Sequence, residues 1–162
     1  MGFDGVRAYT SDPAASADLL GSTLNFAPDS DSSWTIRADR RGSFYVYDEA
    51  PAAPGIQGAG TVHHVAWACP IPEHEEWRNR LVAAGADVTP IIDRYYFKSI
   101  YFREPSGVLF EIATLGPGFA VDEPIENLGE SLALPPNYER LREELEKTLT
   151  PLPDPRAEIL SR

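Results

Sequence analysis

Cysteine is nearly absent from this sequence: Cys69 is the only one in 162 residues. A single thiol excludes an intrachain disulfide and any zinc cluster built on several cysteines. Lysine is almost as scarce, with Lys98 and Lys147 alone, so the 14 basic residues are nearly all arginine. Against 25 acidic residues they leave a formal net charge of −11. That field repels phosphate backbones and anionic lipids, so no nucleic-acid partner and no membrane partner is expected. No apolar run approaches the roughly 18 residues of a membrane span, and MGFDGVRAY lacks the pattern of a secretory signal. The expectation is a cytoplasmic globular protein. Its 43 % hydrophobic and 10 % aromatic content is enough for a real core.

What is present falls into two similar passes. Gly5 to Thr10 alternates like a short strand, and Asp12-Pro13 opens a helix, with Asp12 as a plausible N-cap. Ala17, Leu20 and Leu24 mark that helix's buried face. A polar turn, PDSDSS, precedes two strands, Trp34 to Ala38 and Ser43 to Tyr47, and a Pro/Ala/Gly linker ends the pass. The second pass repeats the order. Thr61 to Cys69 is a strand, Pro72 to Ala84 a helix stopped by Gly85, and Val88–Ile92, Lys98–Phe102 and Val108–Thr114 are strands. Each pass is a βαβββ unit, and two such units are expected to pair into one curved sheet surface. The chain divides into a first unit over 1–52, a second over 60–118, and a C-terminal strap with an amphipathic helix over 119–162. In that helix, from about Asn137 to Leu149, Leu141, Leu145 and Leu149 form a narrow stripe.

The candidate chemistry lies in the second pass. Strand alternation sends His64, Ala66 and Ala68 to one face, and His63, Val65, Trp67 and Cys69 to the other. The small alanines leave room in front of His64. In LFEIAT, Glu111 shares a face with Leu109 and Ala113, and a carboxylate in such a strand is expensive to bury unless paired or bound to metal. His64 and Glu111 therefore read as two ligands of the N/O kind that suits Fe(II), Mn or Zn. A strand His and Glu can also satisfy each other, so spacing alone leaves both readings open. His74, in PEHEEW, reads as a solvated helix-start residue, and Cys69 as core. Arg94, Tyr101 and Arg103 place cations and a phenol near the Glu111 strand.

Three stretches carry a more specific signal: GTVHHVAW, DRYYFKSIYFREPSGVLFEIATLGPGFAVDE and LGESLALPPNYERLREELEKTLTPL. Together they resemble the C-terminal half of the ring-cleaving dioxygenases. These belong to the vicinal-oxygen-chelate (glyoxalase, bleomycin-resistance and dioxygenase) superfamily, and the resemblance is to the hydroquinone-type enzymes among them. The resemblance implies an α+β fold of paired βαβββ modules, and Fe(II), with Mn(II) as the alternative, held by two His and one Glu. It implies O2 and a hydroquinone- or catechol-like aromatic substrate. It matches His64 and Glu111 to the second His and the carboxylate of the metal triad, and His63, Arg94 and Tyr101 to catalytic, substrate-facing positions. Enzymes of this group have four modules, with the first His on the opening strand of the first. Here Gly5 and Asp12 stand in the corresponding register, and Asp4 is one residue out of phase.

Three functions follow as expectations. One is an extradiol-type dioxygenase completed by a homo-oligomer or by a partner chain supplying the first two modules. Another is a glyoxalase-like metal enzyme built at a homodimer interface. The third is a non-catalytic protein that binds an aromatic small molecule.

Overall fold

The computed structural model describes residues 3–38, 41–53 and 55–151. The first unit contains β1 (Gly5–Thr10), β2 (Ala27–Ser30), β3 (Ser33–Arg37) and β4 (Gly42–Glu49). The second contains β5 (Val65–Cys69), helix α1 (His74–Ala83), β6 (Ile92–Asp93), β7 (Lys98–Arg103) and β8 (Leu109–Thr114), and helix α2 (Arg142–Thr148) follows in the C-terminal region. The strand orders are β1-β4-β3-β2 and β5-β8-β7-β6, the same topology twice. In each sheet the opening strand pairs in parallel with the last one, and the other pairings are antiparallel. The α+β fold of paired βαβββ units is therefore as expected. The two units contribute one four-stranded sheet each, and the sheets meet through side chains in one core.

Several local expectations also change. The PDSDSS turn is partly β2, an exposed edge strand whose hydrogen bonds to β3 need no apolar side chains. Its proline fits an edge, where a missing N–H costs little. The first helix is a 3₁₀ turn at Pro13–Ser16 followed by a π-turn at Leu19–Thr23. Asp12 makes no side-chain cap there. The wide turn, closed by Leu24 N–H donating to Leu19 C=O at 2.9 Å, rotates the buried face onto Ser16, Leu19, Leu20, Thr23 and Leu24 and leaves Ala17 exposed. The strand expected from Thr61 begins only at Val65. Val88–Ile92 contributes just β6, because Pro90 cannot donate; Thr89 still bonds Tyr101 at both its N–H and its hydroxyl, each at 3.0 Å. The last helix is a 3₁₀ turn over Pro136–Leu141 and then α2, and its leucine stripe is only half-covered.

His74 is the clearest correction. It is 2 % exposed, and its Nε2 lies 2.9 Å from the Ile112 carbonyl oxygen. Glu75 and Glu76 carry the solvated face, while the first turn of α1 presses the imidazole onto β8.

The core runs between the two sheets and under the helical segments. Tyr45 meets Tyr47, Trp67 and Phe110 edge-to-face at 5.1, 6.1 and 5.3 Å. Such pairs contribute about 0.5–1.5 kcal/mol each beyond area burial. A second tie is polar. Glu104, 2 % exposed in the β7–β8 turn, accepts hydrogen bonds from Tyr47 OH at 2.6 Å, from the Ser106 and Val108 N–H groups at 2.9 Å, and from the Ser16 and Ser106 hydroxyls. Ser16 and Tyr47 belong to the first unit, so this carboxylate joins the two. Burial pushes the Glu104 carboxyl up, but the bonds from Ser106, Ser16 and Tyr47 outweigh it and hold it below the ordinary carboxylate value. Tyr47 is driven the other way, up to about 12, first by burial and then by Glu104.

Glu104→Gln is expected to cost about 2–3 kcal/mol at neutral pH, because an amide cannot accept every one of these bonds. A depressed folded-state pKa contributes stability that is full above the ordinary carboxylate pKa, about 4.3. It drains as pH falls through the folded value. Urea denaturation should therefore show wild type losing its advantage over the variant on acidification below about pH 4. Equal stability at pH 7 would contradict this role for Glu104.

Candidate metal and substrate site

Sheet register assembles the candidate residues. Glu111 on β8 pairs with Ala66 on β5 and with Tyr101 on β7, so the three share one row across the second sheet. Phe110 and Ile112, its neighbours in sequence, point into the core, which forces Glu111 to the opposite face. Ala66 and Ala68 are exposed there, as small neighbours permit. His64, just before β5, puts Nε2 2.8 Å from Glu111 Oε2. Tyr101 OH donates to the other oxygen, Oε1, at 2.8 Å. The Glu111 side chain is 4 % exposed and that of His64 33 %, so the carboxylate is sunk below the imidazole.

His63 and Arg94 complete the group. The expected alternation would place His63 on the opposite face, but regular strand begins only at Val65. The His63 ring instead stands perpendicular to that of His64, with the two Nδ1 atoms 2.9 Å apart. Arg94 carries its guanidinium 5.8 Å from the Tyr101 ring centroid, within cation–π range. The turn that positions it was not visible in the sequence. Tyr95 adopts φ 70°, a left-handed conformation rare for an aromatic residue, and its N–H donates to Asp93 Oδ1 at 2.7 Å. An Asp two residues before an aromatic pair was the available signal. Ser99 was also missed. It lies two residues before Tyr101 on the same strand face, fully buried, and its Oγ has no partner among the described residues. Arg103, by contrast, turns to the Gly107 carbonyl and away from the group.

The first unit supplies an internal comparison. Counting back from the paired strand ends, Thr10 with Glu49 and Cys69 with Thr114, the positions matching His64, Glu111 and Tyr101 are Gly5, Val46 and Ser33. A Cβ on Gly5 would lie 2.4 Å from the Phe44 ring. The first sheet therefore has an aromatic ring where the second has an imidazole. Among the described residues, no three His, Cys, Asp or Glu side chains gather into one metal-sized group. His64 and Glu111 fit a divalent metal by donor type and by their convergent atoms, as two ligands of a larger set.

Comparison with known proteins decides the family. The sequence profile of the Glyoxalase/Bleomycin resistance protein/Dioxygenase superfamily matches residues 2–112. The chain belongs to that superfamily. It is 39 % identical over 163 residues to the Bacillus subtilis protein named "Putative ring-cleaving dioxygenase MhqO", covering 93 % of this chain and 49 % of the relative. It is 36 % identical over 105 residues to the chlorohydroquinone/hydroquinone 1,2-dioxygenase of Sphingobium indicum, covering 63 % of this chain and 32 % of that enzyme. A crystal structure of a "putative dioxygenase" from Bacillus subtilis superposes with a TM-score of 0.83 at 38 % identity, over 94 % of this chain and 50 % of that one. An integron cassette protein from a sewage-outfall metagenome, 18 % identical with a TM-score of 0.57, shares the fold alone. The chain spans about half the length, or less, of the curated relatives it matches.

A buried carboxylate kept for structure and one kept for chemistry respond differently to removal. Glu104 has a full set of donors, whereas Glu111 has two partners. Replacing both members of a buried ion pair with well-packed apolar residues is often neutral or stabilising by about 1–4 kcal/mol, whereas removing one member strands the other. His64→Leu/Glu111→Leu is accordingly expected to match or exceed wild type in thermal denaturation with chelator present. A loss of more than about 3 kcal/mol in the double variant would mark the pair as structural.

Proposed function

We propose that this chain carries the ligand-bearing half of an Fe(II)-dependent extradiol-type dioxygenase acting on dihydroxylated aromatic rings, with Mn(II) as the alternative metal. The observation that carries the proposal is the convergence of His64 Nε2 and Glu111 Oε2 to 2.8 Å on an open sheet face. The names of the relatives support the reaction class.

The metal, when bound by His64 and Glu111, supplies open coordination positions for the substrate oxygens and O2. The protein's own residues prepare that place. Tyr101 holds Glu111 Oε1 and leaves Oε2 for the metal. The His63 contact engages His64 Nδ1, which orients the ring and leaves Nε2 toward Glu111. Arg94 stands beside Tyr101 as a fixed cation for a substrate oxygen that loses its proton. His63, half of a hydrogen-bonded imidazole pair, is the group that receives or returns that proton.

Two protein ligands leave the set short of the usual two His and one carboxylate. The remaining ligand comes from a partner chain carrying two further modules, or from a second copy. A second copy has little to offer: His74 is buried against Ile112, which leaves His63 and exposed carboxylates such as Asp4. A partner chain with its own histidine is the better fit. The short ligand set also favours a second reading, a non-catalytic protein that holds an aromatic small molecule on this face.

The test is an anaerobic Fe(II) titration with oxygen-uptake measurements on hydroquinone and catechol. The isolated chain is expected to bind iron weakly and turn over little, and addition of the partner should raise both together. His64→Ala or Glu111→Ala should then lower turnover at least about 100-fold, the scale of a lost metal ligand or its support. Tight stoichiometric iron and rapid turnover by the chain alone would refute the incomplete site. Aromatic binding without iron in any assembly would support the second reading.

A further inference from the structure

A cavity of about 530 Å3 opens between the two units, behind strand β5. It contains none of His64, Arg94, Tyr101 and Glu111: Trp67 and Cys69 line it, on the face of β5 opposite Ala66, and Ala68 also borders it. Its walls include Phe26, Ile36, Trp67 and Trp77. Phe26 and Trp67 pack edge-to-face at 5.1 Å and 68°, so they present differently oriented apolar surfaces to the cavity. The size lies within the range of small-molecule sites, about 300–1,000 Å3.

The lining is also unusual in charge. Arg37 and Arg41, on either side of the β3–β4 connection, both line the cavity. Neither forms an ion pair among the described residues. Among the described lining residues Glu73 is the one carboxylate against two arginines, in a chain of net charge −11. The Cys69 thiol, pushed up to about 11 by burial and then by Glu73, stays protonated and serves as neutral wall.

We infer that this cleft is a second binding site, for a planar aromatic carboxylate or sulfonate whose ring lies among Phe26, Trp67 and Trp77 and whose anion meets Arg37 and Arg41. Guanidinium groups suit such anions because they can donate two parallel hydrogen bonds. Aromatic rings suit the walls through edge and face contacts. The inference stands apart from the metal reading, since no residue it uses is a proposed ligand.

The probe is 2-naphthoate, with 2-naphthalenemethanol as its neutral counterpart, followed by tryptophan fluorescence of the whole chain. Two of the three tryptophans line the cavity, and the third, Trp34, is buried in the core. The expected result is saturable one-site quenching by naphthoate that weakens as salt rises. The Arg37→Ala/Arg41→Ala variant, altered only at exposed positions, should bind naphthoate about tenfold more weakly or worse, with unchanged affinity for the alcohol. Ser43→Trp, which fills the lining, should lose both, with circular dichroism reporting its fold. His64→Ala/Glu111→Ala should bind as wild type does. Non-saturable quenching, an unchanged affinity in the arginine variant, or loss of binding in the His64/Glu111 variant would each overturn the assignment.

Discussion

The two units hold their mutual placement through one buried carboxylate set among aromatic rings. Glu104 sits at the turn between β7 and β8, and it draws on Ser16 and Tyr47 of the other unit as well as on its own turn. A charge this deeply buried is tolerated only where donors replace its lost water. That requirement dictates where Tyr47 must lie, and Tyr47 in turn packs against Tyr45 and Trp34. Tyr45 reaches across to Trp67 and Phe110. The hydrogen bonds thus fix direction where the rings supply most of the burial. With β7 and β8 anchored at their shared turn, Tyr101 and Glu111 follow in register.

The same two strands carry a second buried carboxylate under very different conditions. Glu111 lies on the opposite face from the core and is held by one phenol and one imidazole. Its surroundings leave it short of donors in a place where an apolar residue would pack at less cost. Residues that fit their surroundings poorly in this way are expected where a protein keeps capacity for a ligand. The repeat within the chain sharpens the point. At matching register the first unit has Gly5, Ser33 and Val46, with the Phe44 ring lying where a side chain on Gly5 would go. One topology thus occurs twice, once with the His64–Glu111 pair and once without it.

The relation to longer relatives follows from this asymmetry. A superfamily profile spans nearly both units, while the dioxygenase-named relatives contain about twice the length matched over the whole chain. The face bearing Ala66 and Glu111 is open, and the cleft lies behind β5. One strand therefore separates two environments, one of N and O donors and one of aromatic walls with arginines.

Sequence pattern by itself determined the repeat, the α+β class, the core strands β4, β7 and β8, and the candidate pair His64 and Glu111, while Arg94 and Tyr101 entered as site residues through the resemblance. It could do so because strand alternation is a local, two-residue rule, and a carboxylate inside LFEIAT breaks the pattern visibly. The assignment of these residues to iron came from resemblance, since a His–Glu pair is equally able to satisfy itself. Tertiary structure alone decided the rest. β2 is exposed at every residue and was drawn into strand by its backbone pairing with β3. His74 sits among acids in sequence, yet the packing of α1 on β8 buries it against Ile112. His63 left the expected face because alternation has no hold outside a hydrogen-bonded strand. Nothing beside Glu104 in sequence marks it, because the donors that tie the two units together, Ser16 and Tyr47, are 88 and 57 residues away along the chain. Local rules see a residue's neighbours in sequence, whereas the stability of a buried charge is set by its neighbours in space.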